Sequence, residues 1–143
     1  MSLSEEKVIS IEEGTLAYIE EKEGICIKRY RGIGSKAIVP HEIDGKPVTS
    51  IGRKAFLSRK TLKEIVLPDT ITEIGDWAFA HTEELKKIVI PRRELTRGKE
   101  LFLGCRNLEE MILSGTEEEL FQDKKDGMGR MLALAVTVLH DYF

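Results

Sequence analysis

The stretch Ile51-Gly-Arg-Lys-Ala-Phe56 returns as Ile74-Gly-Asp-Trp-Ala-Phe79 after a step of 23 residues, and Gly98 and Phe102 continue both frames. Leu62, Leu85 and Leu108 keep the same interval, as do Ile65, Ile88 and Met111, and Leu67, Ile90 and Leu113. Pro68 and Pro91 share it. So many positions in phase through three units define a repeat protein. One such unit cannot bury its apolar face alone, but neighbours stacked on it can.

Within a unit, Leu-x-x-Ile-x-Leu/Ile-Pro reads as a short strand with every second residue inward. Proline closes it, because it has no N–H to give to a ladder. The apolar spacing of Ile71, Ile74, Ala78 and Phe79 is three and four, which predicts a turn into one short helical or 3₁₀ segment. Gly75 is expected to supply a backbone angle or a close approach that a Cβ would block. An earlier, longer unit begins at Ala37-Ile38-Val39-Pro40, its extra length falling in the turn-rich run from Glu42 to Pro47 around Asp44-Gly45.

The units at 51–56 and 74–79, each followed by Leu-Lys-x-Ile-Val-Leu/Ile-Pro, resemble the BspA-type leucine-rich repeats of bacteria. So do the run from Glu42 to Ile51 and Phe-x-Gly-Cys-x-x-Leu from Phe102 to Leu108. The resemblance covers about residues 25 to 115. It implies an α/β fold, a leucine-rich-repeat solenoid coiled as a right-handed β/α superhelix, and a protein-interaction or scaffold role, often at the cell surface. The third unit departs at Glu94 and Arg97, where the second has Ile71 and Ile74; Leu95 compensates by a slip of one residue.

Both ends differ from the repeats. Strands are expected near Val8 to Ile11, Thr15 to Glu20 and Ile25 to Arg31, with breaks at Glu13-Gly14 and Glu23-Gly24. A β-hairpin or meander there would cover the open end of the stack. Thr116 with Glu119 forms a capping box that predicts a short helix, and Met128 to Phe143 reads as a second. That second helix is apolar nearly all round, which demands burial on several sides. The expected organisation is one domain, with a β cap over 1–35, repeats over 36–115 and a C-terminal helical segment over 116–143.

Of 143 residues, 41% are apolar and 33% charged, with 25 Asp plus Glu against 22 Lys plus Arg. Such a chain buries roughly 70% of its unfolded surface. A net charge of -3 offers no basic excess for nucleic acid or an anionic membrane. The longest apolar stretch, Met131 to Leu139, is about half of a bilayer span. The first residues lack the basic and apolar regions of a secretory signal, so a cytoplasmic location is expected.

Catalytic chemistry finds no foothold, and no cofactor is expected. Gly32-Ile-Gly34-Ser-Lys-Ala37 spells G-x-G-x-x-A, but the repeat strand at Ala37 stands where a phosphate-binding helix would have to begin. His41, His81 and His140 have no second ligand at metal spacing. Cys26 and Cys105 are too few for a disulfide framework, and Cys105 is expected to pack as a small apolar residue. Trp77 is expected to lie flat over neighbouring turns.

The strands offer a surface. If Leu62, Ile65 and Leu67 point inward, Lys63 or Glu64 and Val66 point out, and the phase brings Ile38, Val66, Val89 and Ile112 into one outward column. Lys63, Lys86 and Lys87 flank it, and Glu109 and Glu110 then switch the sign. This column is the candidate surface for a protein or peptide partner. In the last helix, Met131, Leu134, Val138 and Tyr142 are left over once one face caps the stack, which makes them the candidate homodimer contact. The expected function is a non-enzymatic binding module or scaffold. The alternatives are a regulatory or targeting N-terminal domain of a longer protein, and a surface-adhesion repeat domain.

Overall fold

The structure, a computed structural model, describes residues 5–114. Among these residues the elements are strands and turns, with no helix. One sheet has the order β11-β9-β7-β4, from β4 (Lys36–Ile38), β7 (Glu64–Val66), β9 (Lys87–Pro91) and β11 (Glu110–Ser114). All its pairs are parallel and advance by one repeat, so Ala37, Ile65, Ile88 and Met111 face each other in register. Their side chains point inward and are buried. The second sheet carries β6 (Lys46–Ile51), β8 (Glu73–Ile74) and β10 (Thr96–Arg97), also parallel. The chain thus forms a leucine-rich-repeat β-solenoid of about four turns.

Three strands extend the second sheet past the first. β1 (Lys7–Ile11), β2 (Gly14–Glu21) and β3 (Gly24–Gly32) form an antiparallel meander, and β3 pairs parallel with β6. The short β5 (Glu42–Ile43) folds back on β6 around Asp44 and Gly45, whose φ values of 52° and 81° are both left-handed. An Asp-Gly pair at those angles is the preferred hairpin connection.

The core is a column of rings. Tyr30, Phe56, Phe79 and Phe102 succeed one another with centroids 5.5, 5.6 and 5.4 Å apart, each ring almost fully enclosed. Tyr30 comes from β3, so the meander supplies the first rung of a ladder that the repeats continue. Its hydroxyl donates to the Glu13 carbonyl at 3.2 Å. Gly14 and Gly32 make room for the ring: a Cβ on Gly14 would stand 2.7 Å from Tyr30 Cε1, and one on Gly32 would run into the hydroxyl.

The short helix expected in each repeat is a run of turns, so the α/β class and the β/α superhelix do not hold among the described residues. The reason lies in where the backbone N–H groups go. Lys54, Phe56 and Ser58 donate to Asp76, Ala78 and Ala80 of the next coil. Trp77, Phe79 and His81 donate to Lys99, Leu101 and Leu103 in the same way. A helix would need those donors for itself. Left-handed residues also interrupt the segment in phase, at Lys54, Trp77 and Glu100, and again at Ser58, His81 and Gly104. Gly75 serves close approach, since a Cβ there would lie 2.6 Å from the backbone nitrogen of Arg53.

In the third unit Leu95 packs against the core while Glu94 and Arg97 are exposed; the strand itself does not slip, since Arg97 pairs with Ile74. The expected C-terminal helices over 116–143, and with them Met131, Leu134, Val138, Tyr142 and His140, lie outside the described residues.

Candidate functional site

The outer face of the sheet formed by β4, β7, β9 and β11 is built by alternation. In β7, Ile65 is buried, so Glu64 and Val66 on either side project outward. The parallel register repeats this in every coil. Ile38 stands opposite Val66, Val66 opposite Val89, and Val89 opposite Ile112. Ile38 is 46% exposed and Ile112 37%, while Val66 and Val89 are half-buried between neighbours. Large aliphatic side chains left this open on a straight row are what a contact surface requires.

Beside this row runs a second, of charge. Lys36, Glu64, Lys87 and Glu110 share one register and alternate in sign. Glu64 lies 3.7 Å from Lys36 and 3.8 Å from Lys87. Of the lysines expected to flank the column, Lys87 belongs to this row. Lys63 and Lys86 precede their strands in a separate exposed row with Glu109, and the carbonyl of each accepts two N–H groups from the following coil. Lys36 precedes Ala37 as Glu64 precedes Ile65, so the alignment that sets Ile38 opposite Val66 also pairs these two charges. Pro91 is the last residue of β9, opposite Ser114 and on the face of Val89; Pro40 and Pro68 hold the equivalent positions just past β4 and β7. All three stand at or just past the end of a strand, as the sequence reading expects.

On the turn side Trp77 spans three coils. The Arg53 guanidinium stands 4.9 Å and the Lys54 ammonium 5.3 Å from its ring centre, and its indole N–H donates to Glu100 at 3.2 Å. The ring lies over neighbouring turns as expected, with two cations beside it and its donor engaged within the chain.

The remaining candidates have structural roles. Gly32 and Gly34 of the G-x-G-x-x-A string admit the Tyr30 hydroxyl and the Glu13 side chain, and Glu13 Oε1 accepts the Lys36 N–H at 3.0 Å. That carboxylate blunts the edge of β4, where a free N–H would otherwise invite another strand. His81 sits over Gly104, and His41 is an exposed turn residue. Among the described residues no group of His, Cys, Asp and Glu is arranged to hold a metal.

Cys105 is buried and its thiol donates to the Phe79 carbonyl at 3.0 Å. One coil earlier Thr82 does the same to Phe56 at 2.7 Å. Burial pushes the Cys105 thiol up to about 11 and raises that of Cys26 as well. A thiol with a raised folded-state value favours folding fully below its unfolded value. That contribution is lost as pH rises from about 9 towards 11. The native chain at neutral pH is therefore expected to leave both thiols unlabelled by an aromatic disulfide reagent until denaturant unfolds it. Cys105→Ser, which keeps a donor, should flatten the loss of stability between those two pH values relative to the parent. Fast labelling of the folded chain would contradict the burial.

The family model of the BspA type leucine rich repeat region, itself six repeat copies long, matches residues 35–123. No curated protein matches the chain. Among solved structures, a leucine rich cell surface protein from Faecalibacterium prausnitzii is 24% identical with a TM-score of 0.59; the match covers 73% of this chain and 30% of that one. The leucine rich repeat protein of T. pallidum is 26% identical with a TM-score of 0.53, over 78% of this chain and 66% of that one. A leucine-rich repeat protein from Bacteroides capillosus is 19% identical with a TM-score of 0.52, over 76% of this chain and 99% of that one. The chain thus spans about a third of the first relative and about two thirds of the second. With the 23-residue register, the stacked phenylalanines and this match over more than half its length, the chain belongs to the BspA type leucine rich repeat family.

Proposed function

We propose that the chain is a non-enzymatic protein-binding module whose partner sits on the outer face of the β4-β7-β9-β11 sheet. The observation that carries this reading is the in-register row Ile38, Val66, Val89 and Ile112, open at both of its ends. Water-facing sheet surfaces usually alternate towards polar residues; here four successive strands place an aliphatic side chain at the same outward position. Self-association through Met131, Leu134, Val138 and Tyr142 is a second contact within the same proposal, supported by the spacing of those residues alone.

Val66→Asp combined with Val89→Asp tests the surface. Both side chains lie on the solvent side, so near-ultraviolet dichroism should stay close to the parent, while the two directly opposed carboxylates lower the denaturation midpoint modestly. Retention of native partners on an immobilised chain should be abolished. A folded double variant that retains the same proteins removes this face from consideration.

A further inference from the structure

Resting on that reading of the outer sheet face, we propose that its partner is an amphipathic α-helix laid along the stack, across the strands. The row Ile38–Val66–Val89–Ile112 is one side chain wide and in register over four strands. Adjacent strands lie about 4.8 Å apart, so the row repeats at that interval and runs for about 14 Å. A helix brings the same face round every 5.4 Å or so. It therefore drifts about 0.6 Å per rung and less than about 2 Å over the whole row. An extended strand running the same way returns to one face about every 6.6 Å, and slips more than a third of a rung, about 1.8 Å, at each step. The interval selects the helix. Its anchors fall at i, i+4, i+7 and i+11, the pattern by which helices fill apolar grooves.

The charges beside the row fix one flank of that helix. Lys36, Glu64, Lys87 and Glu110 alternate at the same interval. The ion pairs of Glu64 with Lys36 and Lys87, at 3.7 and 3.8 Å, are longer than hydrogen bonds and leave the side chains able to bond outward. A helix flank that reads acidic, basic, acidic, basic at steps of three or four meets the opposite sign at every rung. A flank of one sign meets repulsion at two of the four. Towards Pro91, and the equivalent Pro40 and Pro68, the neighbouring row carries no charge, so the other flank of the helix is small or apolar.

The probe is a stapled peptide of about 14 residues, about 21 Å of helix, with leucine at the four anchors and Glu, Lys, Glu, Lys in order along one flank. Titrated against the full chain by fluorescence anisotropy, it is expected to saturate. Proline at the peptide's centre should weaken binding at least tenfold, because it breaks the helix. An all-lysine flank should weaken it at least threefold at low salt, with the difference shrinking as salt screens it. Val66→Asp with Val89→Asp should weaken it at least tenfold. Absence of saturable binding, or binding indifferent to the proline or to the double substitution, overturns the helix proposal. If the stapled peptide fails while the double variant still loses its native partners, the surface stands and only the helix falls. If the double variant keeps those partners, the surface reading itself has failed.

Discussion

Phe79→Ala is expected to lower the free energy of unfolding by about 3–5 kcal/mol. Phe79 is fully buried, with Phe56 tilted against it 5.6 Å away on one side and Phe102 stacked 5.4 Å away on the other. Removing the ring loses its transfer from water and leaves a void that the coils above and below cannot close. Their spacing is held by Phe56 N–H to Ala78 and Phe79 N–H to Leu101, two backbone bonds that alanine keeps. The loss of two ring contacts, each worth about 0.5–1.5 kcal/mol beyond area alone, adds to the cost. Against a total stability on the order of 5–15 kcal/mol, this brings the fold close to failure. Lys86→Ala, on the exposed row, should change stability by less than about 0.5 kcal/mol. Similar shifts for the two variants in a denaturant titration would show the inward and outward assignment to be wrong.

Tyr30→Ala should cost about as much, again about 3–5 kcal/mol, although Tyr30 lies outside every repeat. It is fully buried, stacked 5.5 Å from Phe56, and its N–H donates to Ala55 as the phenylalanines donate to the coils that follow them. Its loss would detach the meander from the first coil as well as open a cavity. Tyr30→Phe isolates the hydroxyl, which bonds Glu13, and should cost about 1 kcal/mol. Amide exchange separates the two effects. The alanine variant should lose protection first in β2 and β3, and the phenylalanine variant should lose little. A Tyr30→Ala variant as stable as the parent would mean that the cap stands independently of the ladder.

The difference between these two rings marks how far the sequence could be read. Phe56, Phe79 and Phe102 announce themselves by their common step, whereas Tyr30 stands 26 residues before Phe56 and reaches the ladder from an antiparallel strand. Nothing periodic points to it. The signal it leaves is indirect: two glycines, Gly14 and Gly32, that face each other across β2 and β3 and spare its ring. The turn segments were misread for a physical reason as well. Apolar spacing of three and four arises from a helix and equally from successive turns. What separates them is whether N–H groups bond within the segment or to the next coil, and side-chain types do not encode that. The outward row was legible because strand alternation needs only a starting phase, which the inward Leu62, Ile65 and Leu67 supply. The charged row follows from the same phase, since Lys36 precedes Ala37 as Glu64 precedes Ile65; only the approach of the side chains, 3.7 Å between Lys36 and Glu64, needed the structure.

The alternation of Lys36, Glu64, Lys87 and Glu110 has a bearing on how genes for such chains can lengthen. An in-frame duplication of 23 codons adds one coil and leaves the ring ladder and both sheets continuous. It also sets a glutamate beside its own copy, or a lysine beside its own, and like charges directly opposed are unfavourable. Duplicating two adjacent units restores the order of signs along the whole row. Growth by pairs is therefore the tolerated route, and parity in the number of coils becomes something that selection can see.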